Sequence, residues 1–111
     1  SVNGSKILLL GLAYKKGTSD WRESPSIHVA DLLAAAGADI TFCDPYIAEV
    51  NARDLHYPLV EFNEHELSAA DLVVVLVDHP EFDPALIASA AGLVFDSKNV
   101  LRTTSHRGEV L

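Results

Sequence analysis

Methionine is absent from the 111-residue sequence, and cysteine occurs once, as Cys43. A single cysteine has no partner within the chain for a disulfide, which favours a reducing compartment such as the cytoplasm. Because translation starts at methionine, we expect a piece excised from a longer protein. In this interpretation residues 1–5 are a tag remnant or linker, and residues 6–111 form a single domain with its own core.

Long apolar runs are also lacking. The longest run, residues 72–77, is far shorter than the roughly 20 residues that a membrane-spanning helix needs. The first residues do not show the basic and then apolar pattern of a signal peptide. We therefore expect neither membrane insertion nor export.

Basic residues are scarce, since 8 Lys and Arg face 16 Asp and Glu and the formal net charge is −8. The cations form no stripe of the kind that binds a phosphate backbone, so we expect no nucleic-acid partner. A phosphorylated small molecule stays compatible with this charge, because the local field in a cleft can oppose the net charge.

Metal and catalytic signatures are missing as well. The five histidines are scattered and show no pair at the i, i+4 spacing with an acidic third ligand, which predicts no metal site. The chain has no G-x-S-x-G elbow, and Cys43 ends an apolar run, as a small core residue does. We therefore predict no catalytic residue within this chain.

What the sequence does contain is a regular alternation of short apolar runs and helical patterns. Ser24 and Pro25 give one helix an N-cap and a first-turn proline, and Gly37 follows its end. Apolar strands that alternate with helices predict an α/β fold, a three-layer Rossmann-like sandwich with a mostly parallel sheet of four or five strands. The predicted strands are residues 6–10, 39–43, 72–77 and 93–96, the predicted helices are residues 25–36, 63–70 and 83–89, and the tail from residue 102 onward is frayed.

The loop after the first strand, residues 11–24, is far longer than the roughly 2–6 residues typical of such connections. In open α/β sheets the ligand crevice lies at the carboxyl ends of the strands, where this loop begins. Lys15 and Arg22 bring positive charge, and Tyr14 and Trp21 can pack against a ribose or a base. This combination suits a nucleoside diphosphate.

Two residues of the loop have two interpretations each. Arg22 can contact a phosphate, or it can pair with Asp20 or Glu23 and fasten the loop, which is the interpretation we favour. Ser24 can bind a phosphate at the helix N-terminus, although N-capping accounts for it without a ligand.

A second candidate segment follows the last predicted strand. Lys98 and Asn99 come directly after it and therefore lie at the same edge of the sheet as the long loop. A lysine or an amide there can contact a phosphate or a base.

The turn after the first strand is not a dinucleotide fingerprint. The motif G-x-G-x-x-G needs three glycines, and only Gly11 is in place. Asp44, at the end of the second strand, resembles the acidic residue that holds an NAD ribose. Without the glycine turn we interpret it as a turn former together with Pro45, and we expect no NAD site in this chain.

Residues 6–46, which read KILLLGLAYKKGTSDWRESPSIHVADLLAAAGADITFCDPY, resemble the start of the C-terminal domain of UDP-glucose and related UDP-sugar dehydrogenases. Residues 70–77, the following Asp78 and His79, and residues 95–100 resemble later landmarks of the same family. The resemblance covers most of the chain. It implies the UDP-sugar-binding domain of an NAD-dependent nucleotide-sugar 6-dehydrogenase.

Such an enzyme oxidises the C6 alcohol of the sugar to a carboxylate in two NAD-dependent steps, through a thiol adduct on a cysteine that precedes this region. The resemblance implies that NAD binds an N-terminal domain of the parent, that a central helical region joins the two halves, and that the parent is a homo-oligomer. The chain itself would hold no cofactor and would be inactive alone. The uronic acid product would feed polysaccharide biosynthesis.

The resemblance also assigns residues. It implies that Tyr14 and Lys15 contact the nucleotide sugar. Where the family often has an arginine, this chain has Lys98 and Asn99, so a bidentate grip on a phosphate is not expected.

Two short segments bear on which nucleotide sugar the parent would act on. Residues 14–16 and 77–79 are more similar to the branch that acts on UDP-N-acetylhexosamines than to the UDP-glucose branch. A GDP-mannose dehydrogenase would share the architecture, and no residue here distinguishes uracil from guanine.

Two other hypotheses keep the fold and change the function. A non-catalytic Rossmann-like interface module, which mainly packs against the parent's other domain or subunit, would expose an apolar patch. A receiver-type α/β domain would need an acidic cluster at the end of the first strand to bind Mg²⁺, and residues 11–13 offer none.

Overall fold

The computed structural model describes residues 3–13, 21–22, 24–102 and 109–110. In chain order the elements are β1 (Lys6–Leu10), α1 (Pro25–Ala35), β2 (Asp39–Cys43), a 3-10 helix (Glu49–Ala52), α2 (Glu64–Ala69), β3 (Leu72–Val75), α3 (Pro84–Ala90), β4 (Leu93–Asp96) and β5 (Glu109–Val110). The strands form one sheet in the order β2-β1-β3-β4-β5, and its four pairings are parallel. This confirms the predicted Rossmann-like α/β fold with a mostly parallel sheet.

The interior strand β1 is apolar on both faces because helices cover the sheet from both sides. Successive side chains of a strand point to opposite faces. Ile7 and Leu9 therefore pack in a buried cluster with α1, while Leu8 and Leu10 pack in a second buried cluster with α2 and α3. These two clusters are the two halves of the hydrophobic core.

The strand order reverses beside β1. The chain leaves β1, passes through α1 and returns as β2 on one side of it, and then crosses to become β3 on the other side. In sheets of this kind the chain connections diverge at the carboxyl ends of the two strands that flank the reversal, which opens a crevice there. In this protein that place lies between the ends of β1 and β3.

Helix α1 begins and ends as its sequence predicts. The Ser24 side chain accepts a hydrogen bond from the Ser26 N–H over 3.1 Å, and Pro25 occupies the first turn. At the other end, Gly37 has φ 98° and its N–H donates to the carbonyl oxygen of Ala34 over 2.9 Å. This left-handed residue stops the helix, as glycine commonly does after a C-cap.

Strand β3 is shorter than predicted, ending at Val75 where the sequence predicts continuation to residue 77. The N–H groups of Leu76 and Val77 both donate to the carbonyl oxygen of Leu10, over 2.9 and 3.2 Å. Two donors on one acceptor break the regular ladder, so the chain turns out of the strand and passes close to the end of β1.

The prediction of a frayed tail from residue 102 is wrong for two of its residues. Glu109 and Val110 form β5, which pairs in parallel with Leu93 and Val94 of β4. A strand of two residues is too short to produce a periodic sequence pattern, and the hydrogen-bonding edge of β4 specifies it instead.

In the described part of the chain the longest helix is α1, with 11 residues, and none of the helices has the length and apolar character to cross a membrane.

Candidate functional site

A cavity of about 210 Å³ lies at the reversal of strand order. Its walls come from the ends of β1 and β3, the N-terminus of α1 and the turn after β4. The described residues that line it carry one basic side chain and no carboxylate; they are Ala13, Ser24, Pro25, Ser26, Val29, Leu76, Val77 and Lys98. In a chain with a formal charge of −8, this is a local environment that tolerates an anion.

Gly11 allows the two strand ends to meet at this crevice. Its φ is 105°, and a Cβ atom placed there would lie 2.6 Å from the Cβ of Val77 and 2.8 Å from the Val77 nitrogen. Contacts that short do not occur in folded proteins, so only glycine fits this site. Gly11 therefore serves close packing of the loop against the end of β3, not a dinucleotide turn.

Asp44 does more than the turn formation predicted for it. Its Oδ1 accepts from the Tyr46 N–H over 2.9 Å, which is the predicted turn. Its Oδ2 accepts from the N–H groups of Leu12 and Ala13, over 2.9 and 2.8 Å. The Asp44 side chain thus holds the start of the loop that leaves β1.

His79 completes the surroundings of this carboxylate. Its Nε2 lies 3.0 Å from Asp44 Oδ2, and both side chains are fully buried. Because a carboxylate only accepts, Nε2 carries the proton of this hydrogen bond. The Tyr46 ring lies 4.6 Å and the Phe82 ring 5.4 Å from the His79 ring, centroid to centroid.

Sequence reasoning did not find this pair. The available signal was that Asp44 and His79 each follow shortly after the end of a buried strand, β2 and β3. Since carboxyl ends of parallel strands share one edge of the sheet, the two side chains were candidates for contact.

The arrangement around Asp44 does not fit an NAD ribose. The residue is 4% exposed, and both of its carboxylate oxygens already accept hydrogen bonds from the protein. A ribose hydroxyl would have to displace buried donors. Together with the packing role of Gly11, this means that the described residues of the crevice do not hold a dinucleotide in the usual Rossmann manner.

The turn after β4 is organised in a similar way by Asp96. Its Oδ1 accepts from the Val100 N–H over 3.0 Å, and its Oδ2 accepts from the Leu101 N–H over 2.9 Å. Lys98 lies within this turn and lines the cavity. Asn99 has φ 58°, which asparagine tolerates better than most residues, and it is exposed outside the cavity lining.

The predicted loop residues fall into two groups. Ser24 caps α1 and lines the cavity. Tyr14, Lys15 and Asp20 lie outside the described residues, as does Glu23, so the predicted pairing of Arg22 with an acidic neighbour has no structural outcome. The Arg22 guanidinium carbon lies 5.5 Å from the centroid of the neighbouring tryptophan ring.

Trp21 is not the stacking surface that the sequence predicts. It is 6% exposed, packs in the cluster beneath α1, and its Nε1 donates to the carbonyl oxygen of Asn51 over 2.8 Å. The indole therefore anchors the end of the long loop to the core. Sequence position alone does not indicate which way such a ring points.

A larger cavity, of about 530 Å³, lies at the carboxyl end of β2. Four of its lining residues are acidic, namely Asp44, Glu49, Glu61 and Glu81. This charge disfavours a phosphate, so the smaller cavity is the better candidate for a nucleotide despite its size.

Cys43 lines the floor of that larger cavity, where it is 2% exposed. Burial, aided by the charge of the adjacent Asp44, raises the pKa of its thiol to about 12. Its burial confirms the interpretation of Cys43 as a core residue, and a neutral thiol is a poor nucleophile. Within the described ranges no group of three or more His, Cys, Asp or Glu side chains could hold a metal ion.

Comparison with known proteins agrees with this geometry. Residues 8–103 match the family described as "UDP-glucose/GDP-mannose dehydrogenase family, UDP binding domain". The chain is 37% identical over 106 residues to the UDP-glucose 6-dehydrogenase YwqF of Bacillus subtilis, covering 88% of this chain and 24% of that protein. It is 36% identical over 108 residues to a UDP-N-acetyl-D-mannosamine dehydrogenase of Methanococcus maripaludis, covering 90% of this chain and 24% of that protein.

A solved UDP-glucose dehydrogenase from Pyrobaculum islandicum superposes with a TM-score of 0.80 at 28% identity, covering 99% of this chain and 26% of that one. The chain thus spans about a quarter of the length of the relatives it matches. By both sequence and fold, it belongs to the UDP binding domain of the UDP-glucose/GDP-mannose dehydrogenase family.

Proposed function

We propose that this domain binds the UDP moiety of a nucleotide sugar in the cavity between the ends of β1 and β3. The parent protein would be an NAD-dependent nucleotide-sugar 6-dehydrogenase that oxidises the C6 alcohol of the sugar to a carboxylate. The observation that carries the proposal is the placement of Lys98 and the N-terminus of α1 around one cavity whose described lining has no carboxylate.

The electrostatics of this cavity suit a diphosphate. The positive end of the dipole of α1, a helix of 11 residues, is directed toward it, and Lys98 adds a full charge. Ser24 and Ser26 contribute hydroxyl groups at the same wall. The Ser26 N–H already donates to the Ser24 side chain, so we expect the serine hydroxyls and Lys98, more than the helix amides, to donate to the phosphates.

The remaining contacts follow from the family resemblance. Ala13 lines the cavity, and Tyr14 and Lys15 follow it in the sequence. We propose that Tyr14 packs against the nucleoside and that Lys15 contacts a phosphate. Asn99, next to Lys98, would supply an outer contact to the ribose or base.

The chemistry belongs to other parts of the parent. The described residues Gly11 and Asp44 do not form a dinucleotide site, so we propose that NAD and the thiol that forms the covalent adduct are supplied by the N-terminal and central domains. Relatives named for UDP-glucose and for UDP-N-acetyl-D-mannosamine match this chain to a similar degree, which supports UDP-sugars as the substrate class. We propose that the parent acts as a homo-oligomer in which this domain closes part of the nucleotide-sugar pocket.

The interface-module hypothesis has weaker support. Among the described residues the large hydrophobic side chains with high exposure are Leu32, Val50, Phe95 and Val110, and they lie on four different elements. Singly exposed apolar residues are normal on protein surfaces, whereas an interface usually presents a contiguous patch.

A two-dimensional NMR titration with UDP tests the proposal. We expect shifts at residues 12–13, 24–29, 76–77 and 96–99, and a Lys98→Ala variant should weaken binding by about three- to tenfold. Lys6→Ala is the matched control. Lys6 is an exposed lysine at the amino end of β1, whereas the cavity lies at the carboxyl ends of the strands. The absence of shifts at millimolar UDP, or equal losses in the two variants, would contradict the proposal.

A further inference from the structure

We propose that His79 is a positioning residue for nucleotide binding. Through the Asp44 carboxylate it holds the start of the long loop against the end of β3 and so shapes the wall of the UDP cavity without touching the ligand. The inference rests on the proposed function for the identity of the ligand, UDP. Its mechanism rests on the hydrogen bonds that Asp44 accepts.

One carboxylate oxygen joins three separate parts of the fold. Asp44 Oδ2 accepts from the N–H groups of Leu12 and Ala13, over 2.9 and 2.8 Å, and lies 3.0 Å from His79 Nε2. The carboxylate follows β2, its two backbone donors follow β1, and the histidine follows β3. The hydrogen bonds therefore set the relative placement of three strand ends.

The donors are needed because the carboxylate has little access to water. Asp44 is 4% exposed and His79 is 2% exposed. A buried carboxylate is stabilised by the hydrogen bonds that it accepts. These bonds act cooperatively, so the loss of one donor weakens the remaining hydrogen bonds to the carboxylate. Among the described donors to Asp44, His79 is the side chain, so it is the donor that a substitution can remove.

Two aromatic rings contact the His79 ring and support its orientation. It packs against Tyr46 and against Phe82, at centroid distances of 4.6 and 5.4 Å. Tyr46 in turn hydrogen-bonds Glu81, which raises the pKa of the tyrosine. Aromatic packing of this kind fixes the ring orientation and so aims Nε2 at the carboxylate.

Ala13 connects this network to the ligand. It donates to Asp44 and also lines the 210 Å³ cavity, whereas His79 and Asp44 are not among the described residues that line that cavity. A displacement of Ala13 would change the cavity wall and also the direction in which the chain continues to Tyr14 and Lys15. His79 thus acts on the ligand through the backbone of the loop.

The test uses the whole chain and compares His79→Ala with His79→Gln, whose amide can still donate to Asp44. In His79→Ala we expect amide hydrogen exchange at Leu12 and Ala13 to accelerate about fivefold or more, and the UDP Kd to rise by a similar factor. His79→Gln should restore part of both effects, which a residue needed only for packing would not do.

Ile87→Val is the control for general loss of stability, because Ile87 lies on α3, fully buried in a core cluster that does not contain the loop residues Leu12 and Ala13. It should lower the melting temperature without selective exchange at Leu12 and Ala13. Unchanged exchange at these two amides in His79→Ala, or the same change in Ile87→Val, would overturn the inference.

Two separate measurements distinguish failure of the proposed UDP site from failure of the role of His79. If the wild-type chain shows no UDP-induced shifts, the nucleotide site is refuted and the ligand role of His79 with it. The effect of His79 on the loop is decided separately by amide exchange in the free protein. If His79→Ala does not fold, His79→Leu, which fills much of the same space but cannot donate to Asp44, takes its place in the comparison with His79→Gln. Equal exchange at Leu12 and Ala13 and an equal Kd in these two variants would overturn the inference.

Discussion

Gly11 and Val77 pack so closely that a Cβ atom on Gly11 would lie 2.6 Å from the Cβ of Val77. Gly11 follows β1 and Val77 follows β3, so their contact joins the two strand ends that flank the cavity. The close approach also depends on the backbone, since φ at Gly11 is 105°. Any side chain at residue 11 must therefore overcome both an overlap and an unfavourable backbone conformation.

A Gly11→Ala substitution should accordingly lower the free energy of unfolding by about 2–4 kcal/mol. Urea denaturation measures this change. We also expect the UDP affinity to fall in the folded fraction, because relief of the overlap moves the loop or Val77 at the cavity wall.

Gly92→Ala provides the matched control. A Cβ at Gly92 meets no atom within 4 Å, and the residue is exposed between α3 and β4. Its substitution should change the free energy of unfolding by no more than about 0.5 kcal/mol. A similar loss in both variants would show that glycine flexibility, not the contact with Val77, accounts for the effect.

Removing the charge of Asp44 should be strongly destabilising. In Asp44→Asn one acceptor oxygen is replaced by an NH₂ group, which would face the N–H groups of Leu12 and Ala13 or of Tyr46. We expect a loss of about 3 kcal/mol in the free energy of unfolding, because a buried N–H group is left without its charged acceptor.

Asp39→Asn tests whether this loss belongs to the site. Asp39 is an exposed aspartate at the start of the same strand, β2. Thermal or urea unfolding should show a change within about 0.5 kcal/mol for that variant. If both aspartates give small changes, the network around Asp44 does not stabilise the fold in the way the distances indicate.

Local patterns were sufficient to predict most of the fold. Two of these patterns predict structure at their own place in the sequence. They are the apolar run at residues 6–10, where the structure has β1, and the Ser24-Pro25 signal, where α1 begins. The end of β3 and the existence of β5 were missed, because both depend on hydrogen bonds to a neighbouring strand. Those partners are known only once the strand order is known.

The location of the candidate site could be predicted from the sequence, but the hydrogen bonds that organise it could not. Its location at the strand ends followed from the fold class, and Lys98 lines the cavity there. The bonds from Asp44 to Leu12, Ala13 and His79 span 32, 31 and 35 residues of sequence, so no local pattern contains them. Tyr14 and Lys15 stay predictions.

Asn99 allows its side chain and its backbone to be tested separately. With φ at 58°, Asn99→Ala should lower the free energy of unfolding by about 1 kcal/mol, whereas Asn99→Gly should leave it within about 0.5 kcal/mol. Both variants remove the amide. If that amide contacts the nucleotide, both should weaken UDP binding about threefold in an NMR or calorimetric titration. Unchanged affinity in Asn99→Gly would remove Asn99 from the proposed site and leave it a turn residue.

The raised pKa of the Cys43 thiol predicts how the free energy of unfolding changes at alkaline pH. Burial and the charge of Asp44 raise the pKa of its thiol from 9.0 to about 12. Above about pH 9 the unfolded chain therefore loses the thiol proton while the folded chain keeps it, so the folded state binds more protons and stability falls as pH rises. The expected slope from this group is about 1.4 kcal/mol per pH unit, present between about pH 9 and pH 12 and absent at lower pH.

Urea denaturation of wild type and Cys43→Ala across this range isolates the effect. Tyr57, which hydrogen-bonds Asp31 and whose pKa burial raises to about 12, contributes in the same direction, but it is present in both proteins and cancels in their difference. The stability advantage of wild type over Cys43→Ala should therefore shrink steadily above about pH 9. Parallel curves for the two proteins would mean that the folded thiol ionises as readily as the unfolded one, and that Cys43 is more accessible to water than its burial beneath the larger cavity indicates.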